Sequence, residues 1–155
     1  MINLKEKKNI IFLFMVFMLP MAAIAQVPEK KKEVNYTEQE LKKFVEVYRK
    51  ATKIQEKNQD KMVEAIEAEK LDIDRFNTIL TAQQQQKTDE LEASEEELKA
   101  FNNAVQKVVK IQTKMQEEIS DYIEENLGIK KYDQIVLAYQ QDEKVRATID
   151  GIMNQ

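Results

Sequence analysis

The sequence predicts an all-α protein in which two similar helix-turn-helix halves form a four-helix bundle, followed by a short C-terminal helix. Three observations predict this fold. The 155 residues contain only two Gly and two Pro, and no Pro follows Pro28. From residue 37 onward Glu, Lys, Gln, Ala and Leu dominate, which favours helices over strands. The chain also repeats itself at an interval of 57 residues, and such self-similarity indicates a duplicated structural unit.

The first 25 residues differ in composition from all that follow. Three lysines precede an apolar run over residues 10–25, which ends in small side chains. This pattern is typical of a secretory signal peptide, so we expect cleavage between Ala25 and Gln26 and a periplasmic or secreted product. The alternative is a retained membrane anchor, but the run includes Pro20 and is shorter than the about 20 residues of a membrane-spanning helix. We therefore expect no stable membrane span after cleavage.

The chain that remains after cleavage is acidic. The whole sequence has 24 Lys and Arg against 28 Asp and Glu, a net charge of −4, and the first 25 residues carry +2. The remaining 130 residues therefore carry −6. An acidic surface argues against nucleic acid as a partner. Residues 26–36 are polar and include three consecutive lysines, so we predict a flexible lead-in there and a single helical domain over residues 37–155.

The repeat defines the organisation of this domain. Residues 37–67 align with residues 94–124 at 13 identical positions out of 31, and one residue is then dropped before residues 71–85 align with residues 127–141. Each copy is predicted to be a long helix, a turn and a shorter helix. We place the first copy at residues 37–86, a linker at 87–93, the second copy at 94–142 and the C-terminal helix at 143–153.

The start of each long helix carries the same capping signal. Thr37 is followed three residues later by Glu40, and Ser94 is followed in the same way by Glu97. In a capping box the hydroxyl accepts from an amide of the first turn, while the carboxylate accepts from the amide of the cap residue. The pattern predicts that the long helices begin directly after Thr37 and Ser94.

The turns inside the copies also carry signals. Lys70 and Asn126 would take the left-handed conformation that ends a helix, a conformation that Asn tolerates better than Lys. Asp72 can cap the short helix that follows the first turn, and Asp142 can cap the C-terminal helix.

The apolar positions of the second long helix fall within an arc of roughly 160° at about 100° per residue. The first long helix has the same arc with weaker occupants. Helices of about 30 residues are about 45 Å long and do not form stably alone in water, so they must pack on elements of similar length.

Four glutamines project into this apolar arc near the middle of the long helices, namely Gln55, Gln59, Gln112 and Gln116. If the long helices are antiparallel and their midpoints meet, Gln55 and Gln112 lie across one layer, where facing amides can satisfy each other. We predict such a polar layer, which would fix the register of the helices. The alternative is that one side is open and the amides line a groove for a partner peptide.

Phe76 and Tyr132 occupy equivalent positions just after the two turns. We interpret them as packing residues that hold the short helices against the long ones. The alternative is an aromatic recognition site.

The composition excludes much of the chemistry of enzymes. The chain has no His and no Cys, so a thiolate nucleophile, an imidazole base, a Ser-His-Asp triad and the usual zinc or haem ligands are excluded. Acidic runs at residues 95–97 and 124–125 consist of adjacent carboxylates that do not converge, so they predict solvated helix surface, with weak Ca²⁺ binding as the alternative. We assign no catalytic, cofactor-binding or metal-binding residue and expect that the protein is not an enzyme.

The residues that follow the two turns form a recurring pattern. They are Leu71, Asp72, Phe76, Asn77, Thr78 and Ile79 in the first copy, and Leu127, Tyr132, Ile135, Asp142, Val145 and Arg146 in the second. In this pattern the chain resembles a family of exported bacterial helical proteins, domain of unknown function 4168, over most of residues 37–149. The glycine of the family's turn is replaced by Lys70 and Asn126. The resemblance implies export and a helical fold, and it implies no activity.

Three functional hypotheses follow. The first is a non-catalytic exported module that binds an unidentified protein partner, as an envelope adaptor, stress-response factor or holdase. The second is an enzyme or small-ligand binder with a cleft between the copies. The third is a homo-oligomer of stacked helices.

Residues 80–84 match a Leu-Thr-x-x-Gln pattern of small periplasmic chaperones. The match lies inside a predicted helix and occurs in one copy only, so we interpret these residues as a helix end.

Overall fold

The computed structural model describes residues 35–87 and 91–155. The predicted cleavage site at Ala25 and Gln26 and most of the lead-in lie outside the described residues, as do residues 88–90 of the linker. The described residues form an all-α structure, as predicted, with 83% of them in helices and no strand among them. The helices are α1 (Glu38–Glu67), α2 (Ile73–Gln84), α3 (Glu95–Asn126), α4 (Ile129–Gln141) and α5 (Glu143–Met153).

Both predicted capping boxes are present. The Thr37 hydroxyl accepts from the Glu40 amide at 3.2 Å, and the Glu40 carboxylate accepts from the Thr37 amide at 2.9 Å. Ser94 and Glu97 make the same two bonds at 3.2 and 3.0 Å. These bonds satisfy amides of the first turn that have no partner within the helix, so both long helices begin where the sequence predicts.

The predicted aspartate caps are present too. The Asp72 carboxylate accepts from the Arg75 amide at 2.7 Å at the start of α2. Asp142 accepts from the amides of Lys144 and Val145 at 2.9 and 3.1 Å, and it is the single non-helical residue between α4 and α5.

The two turns place their left-handed residue differently, and the prediction is confirmed for the first turn only. Lys70 is left-handed as predicted, with φ of +62°. The prediction for Asn126 is wrong, because α3 continues through Asn126 and the left-handed residue is Gly128, with φ of +82°. Glycine adopts this conformation without a Cβ clash, so it takes the turn in preference to Asn. Gly128 has no side chain to cap α4, and the Glu124 carboxylate accepts from the Ile129 amide instead.

The long helices α1 and α3 pack side by side and run antiparallel. Glu69, just after the end of α1, contacts Asn103 and Lys107 near the start of α3. At the other end of the pair, Glu40 at the start of α1 contacts Lys131, which follows the end of α3. Each helix therefore finds a partner of similar length, as its apolar arc requires.

The short helices close the two ends of this pair. At one end α2 contributes Phe76 and Ile79 to a cluster that includes Ile66 and Phe101 of the long helices. At the other end α4 contributes Ile135 to a second cluster, which α5 completes. The second cluster consists of Leu41, Phe44, Val45, Ile135, Val145 and Ile149.

The contacts of the two ends are reciprocal. Phe76 of α2 packs on Phe101 of α3 with ring centroids 5.0 Å apart, and Tyr132 of α4 packs on Phe44 of α1 at 5.1 Å. Phe76 and Tyr132 are equivalent positions of the repeat, and so are Phe101 and Phe44. The aromatic residue after each turn therefore packs on the long helix of the other copy, which is the pattern of an approximate two-fold rotation between the copies.

We predict opposite effects on stability for substitutions at two left-handed residues, Lys70 and Gly128. Lys70→Gly removes a Cβ from a left-handed position and should stabilise the protein by about 0.5–1 kcal/mol, whereas Gly128→Ala should destabilise it by about 1–2 kcal/mol. A Cβ at Gly128 would meet nothing within 4 Å, so backbone strain alone is tested there. The measurement is urea denaturation.

The control is Ala68→Gly in the first turn, since Ala68 is right-handed. Glycine at this position should destabilise the protein by about 0.5–1 kcal/mol. If Lys70→Gly and Ala68→Gly shift stability in the same direction, the left-handed strain at Lys70 is refuted.

Candidate functional site

Two equivalent ion pairs join the copies. The Arg75 guanidinium of α2 donates to both oxygens of Glu97, at 2.9 and 3.2 Å. The Lys131 ammonium of α4 donates to Glu40. Glu97 and Glu40 are the capping-box carboxylates, so each one closes its own helix and holds the short helix of the other copy.

These contacts shift the pKa values of the carboxylates. The Lys131 ammonium, together with the amide and hydroxyl of Thr37, lowers the pKa of Glu40 from 4.5 to about 2. The Arg75 guanidinium and the Ser94 amide lower the pKa of Glu97. Both groups are held in the charged form and are occupied by several donors, so they act as structural anions and not as proton donors or acceptors at neutral pH.

The sequence predicted the capping boxes, but the ion pairs of their carboxylates with Arg75 and Lys131 were not predicted. Arg75 and Lys131 occupy equivalent positions of the repeat, and a cation kept at the same position in both copies is a signal that indicates such pairs.

Each long helix has a stripe of residues that lies in line with its apolar arc but is partly exposed. Tyr48, Thr52, Gln55 and Gln59 are spaced by four, three and four residues along α1, so they lie on one side of that helix. The equivalent stripe on α3 has the same spacing. We call the two stripes together the glutamine face, and it consists of Tyr48, Thr52, Gln55, Gln59, Val105, Val109, Gln112 and Gln116.

The glutamine face is accessible to solvent although it continues the apolar arc. Tyr48 is 43% exposed and Val109 is 53% exposed, and Gln116 is exposed as well. The other five residues are half-buried. Because α2 and α4 pack over opposite ends of the long helices, the middle of this side has no covering helix.

The polar layer of four glutamines stays a prediction. Gln55, Gln59 and Gln112 are half-buried, and Gln116 is exposed. Within residues 35–87 and 91–155, no hydrogen bond joins the side chains of these glutamines to one another.

The buried polar residue near the middle of the bundle is Asn58. Its side-chain amide donates to the Ile54 carbonyl at 2.8 Å, and its oxygen accepts from the Lys61 ammonium at 3.2 Å. Asn58 thus meets its polar needs within its own helix, and its equivalent in α3 is the buried Met115. The core therefore does not need the glutamine amides, which are left available on the open side.

An open cleft of about 650 Å³ lies along α2 and is also lined by Lys87 and Leu91. Its lining includes Asp74, Asn77, Thr78 and Leu91. Thr78 donates its hydroxyl to the Asp74 carbonyl within α2. The cleft is therefore polar on its helical side, and it lies away from the glutamine face.

Neither a metal centre nor a membrane span is found in the described part of the chain. No group of three or more acidic side chains there is placed to hold a metal ion. No described helix has both the length and the apolar character that crossing a bilayer requires.

The reciprocal packing defines an all-α protein made of two fused helical pairs. The family model named domain of unknown function (DUF4168) matches residues 21–93, which include the whole first copy. This match agrees, over residues 21–93, with the family resemblance noted from the sequence. No curated protein and no solved structure matches the chain.

We predict that acid weakens the junction at Glu40. A carboxylate whose pKa is lower in the folded state stabilises the fold above its ordinary value of 4.5, and this contribution is lost as the pH falls from 4.5 through about 2. Glu40→Gln should lower the melting temperature at pH 7, and the difference from the unmodified protein should shrink towards pH 2. Thermal denaturation monitored by circular dichroism measures both.

The control is Glu46→Gln, because Glu46 is exposed and pairs with Lys43 of the same helix. Exposed pairs of this kind contribute little, so the control should melt close to the unmodified protein. A Glu40→Gln difference that stays constant from pH 7 to pH 2 would contradict the assignment.

Proposed function

We propose that the protein is an exported, non-catalytic module that binds a protein partner through the glutamine face. The observation that carries the proposal is the exposure of Tyr48 and Val109 within stripes whose spacing continues the apolar arc. An aromatic and an aliphatic side chain flank amides that are not used by the core. Partly apolar surfaces with a few polar groups are typical of protein interfaces, where Tyr is enriched.

The amides favour a peptide ligand. A glutamine side chain has two donor hydrogens and a carbonyl acceptor, so it can pair with the amide and carbonyl of a partner backbone. Gln55, Gln59, Gln112 and Gln116 lie towards the middle of the long helices, while Tyr48 and Val109 can contact apolar side chains of the same partner. This arrangement supports the groove alternative considered from the sequence.

The titratable groups support a non-catalytic role. Glu40 and Glu97 are charged and fully engaged in capping and ion pairs, and burial raises the pKa of Tyr132. These groups are held in one protonation state near neutral pH, whereas a general acid or base needs a pKa near the working pH.

A second candidate is small-ligand binding in the open cleft on α2, supported by the polar residues Asp74, Asn77 and Thr78 in its lining. A soluble ligand at this site should raise the melting temperature of the unmodified protein and leave that of an Asn77→Leu variant unchanged. The absence of any such shift in a screen of small polar metabolites would count against this candidate.

We predict that a partner can be captured at the glutamine face. A photo-reactive phenylalanine analogue at position 48 or 109 should cross-link to a protein of the envelope fraction. The matched controls carry the analogue at Lys53 and Lys110, which are exposed and lie outside the stripes. Equal cross-linking from the face and the control positions would refute the assignment.

A charge on the face sharpens this test. Gln112→Glu places a carboxylate within the glutamine face and should abolish cross-linking from position 109, while Gln106→Glu elsewhere on α3 should not. If the protein acts as a holdase, the same Gln112→Glu variant should fail to suppress the aggregation of an unfolded client.

We also predict export with cleavage after Ala25. The exported product should begin at Gln26, as read by N-terminal sequencing, and a chain without residues 2–25 should remain in the cytoplasm. Ala25→Phe should block cleavage, because the peptidase requires a small residue there. An intact N-terminus on the exported protein would refute the signal peptide.

A further inference from the structure

The C-terminal helix α5 lies in a groove between the first part of α1 and α4. Val145 and Ile149 are its buried residues, and they pack on Phe44 and Ile135. The Arg49 guanidinium donates to the carbonyl oxygens of Ile152 and Met153 at the end of α5, at 3.4 and 2.9 Å. A cation at the carboxyl end of a helix satisfies carbonyls that have no partner within the helix.

Polar contacts with α4 fix the position of α5 along the groove. The Tyr139 hydroxyl of α4 donates to the Asp150 carboxylate of α5 at 2.9 Å. The Arg146 guanidinium of α5 donates to the carbonyl oxygens of Tyr139 and Gln140 at the end of α4. The groove thus recognises α5 through its apolar residues, its side-chain charges and its final carbonyls.

The approximate two-fold rotation creates a second site that is not fitted to such a helix. The equivalents of Val45, Tyr139 and Arg49 at the other end of the bundle are Asn102, Gln83 and Gln106. Asn102 and Gln83 are polar where Val45 and Tyr139 pack on α5, and Gln106 lacks the positive charge of Arg49. One molecule therefore has one groove for this helix and one helix that fits it.

The connection between α4 and α5 is a single extended residue. Asp142 has φ of −114° and ψ of +112°, and helical residues precede and follow it directly. A rotation at this one residue into helical values would join α4 and α5 into one continuous helix. The continuous helix would lose the two cap bonds of Asp142 and gain helical backbone bonds across the junction.

We propose that the groove is an exchangeable interface in which α5 of a second copy replaces the molecule's own α5, with Asp142 as the hinge. The second copy fits by identity, because it offers the same apolar residues, the same Asp150 and the same final carbonyls. The contacts of α5 with α1 and the Tyr139–Asp150 bond are then kept between the chains. The carbonyls of Tyr139 and Gln140 exchange the Arg146 guanidinium for backbone amides of the continuous helix. Short hinges of this kind are a low-cost route to exchanged dimers.

The exchange is tested with the whole chain. Asp142→Ala removes the cap bonds and favours the continuous helix, so after refolding at high protein concentration it should shift the protein from monomer to dimer, as measured by light scattering. The matched control is Asp133→Ala, since Asp133 is exposed on α4. The control should keep the monomer-to-dimer ratio of the unmodified protein.

The topology of the dimer is read from cross-links. The chain has no Cys, so Lys53→Cys with Asn154→Cys provides the only thiols and keeps Arg49. Lys53 is exposed one turn beyond Arg49 on α1, so a bis-maleimide can join it to the end of α5. The Asp142→Ala dimer should give cross-links between chains. Cross-links only within chains, or a monomer under all conditions, would overturn the proposal.

A second measurement covers the case in which Asp142→Ala does not fold. Unmodified chains with two different tags are unfolded, mixed and refolded together at high concentration, and one tag is captured. Recovery of the other tag, absent when the chains are mixed after folding, supports the exchange. No recovery in either case overturns it.

Discussion

Each long helix carries an apolar stripe that its own short helix is too short to cover. A helix of 30 residues, such as α1, is about 45 Å long, whereas the 12 residues of α2 span about 18 Å. The stripe can be buried only if the two long helices pack on each other and receive the short helices at their ends. Two short helices do not reach along the whole pair, so the middle of one side stays open. The glutamine face occupies this opening, and its polar side chains suit a site that remains in contact with water.

The same constraint explains where the charges lie. A short helix that packs on the other copy must be held at a defined height, and the capping-box carboxylates of the long helices mark fixed points at both ends. Arg75 and Lys131 use these points by binding Glu97 and Glu40. Each carboxylate is oriented in advance by its own cap bonds, which lowers the entropy lost when the ion pair forms. Partly exposed ion pairs contribute little alone, but here they fix the position of the aromatic pairs beside them.

Local signals predicted the helices well because their causes are local. The capping boxes at Thr37 and Ser94 and the caps at Asp72 and Asp142 depend on residues within three positions of each other. The turn at Asn126 was predicted wrongly, because the choice between Asn126 and Gly128 depends on the relative cost of a left-handed backbone at two neighbouring residues. The level of the glutamines depends on how far two helices are shifted along each other, which is set by contacts such as those of Glu69 with Asn103. The repeat predicted a two-fold arrangement but not this shift, and it could not show which side of the long helices would be left without a cover.

The reciprocal contacts of the copies have the form of an isologous dimer, in which residue i of one subunit meets residue j of the other and residue j meets residue i. Two separate helical pairs would have to find each other in solution, and their association would depend on concentration. Fusion through the linker makes the encounter intramolecular, so the pairing persists at any dilution. Fusion also allows the sequences of the two copies to differ, because a substitution in one copy is no longer repeated in the other. A symmetric pair of identical chains could not have Asn58 in one copy and Met115 at the equivalent position of the other. It also could not have a C-terminal helix that fits only one end.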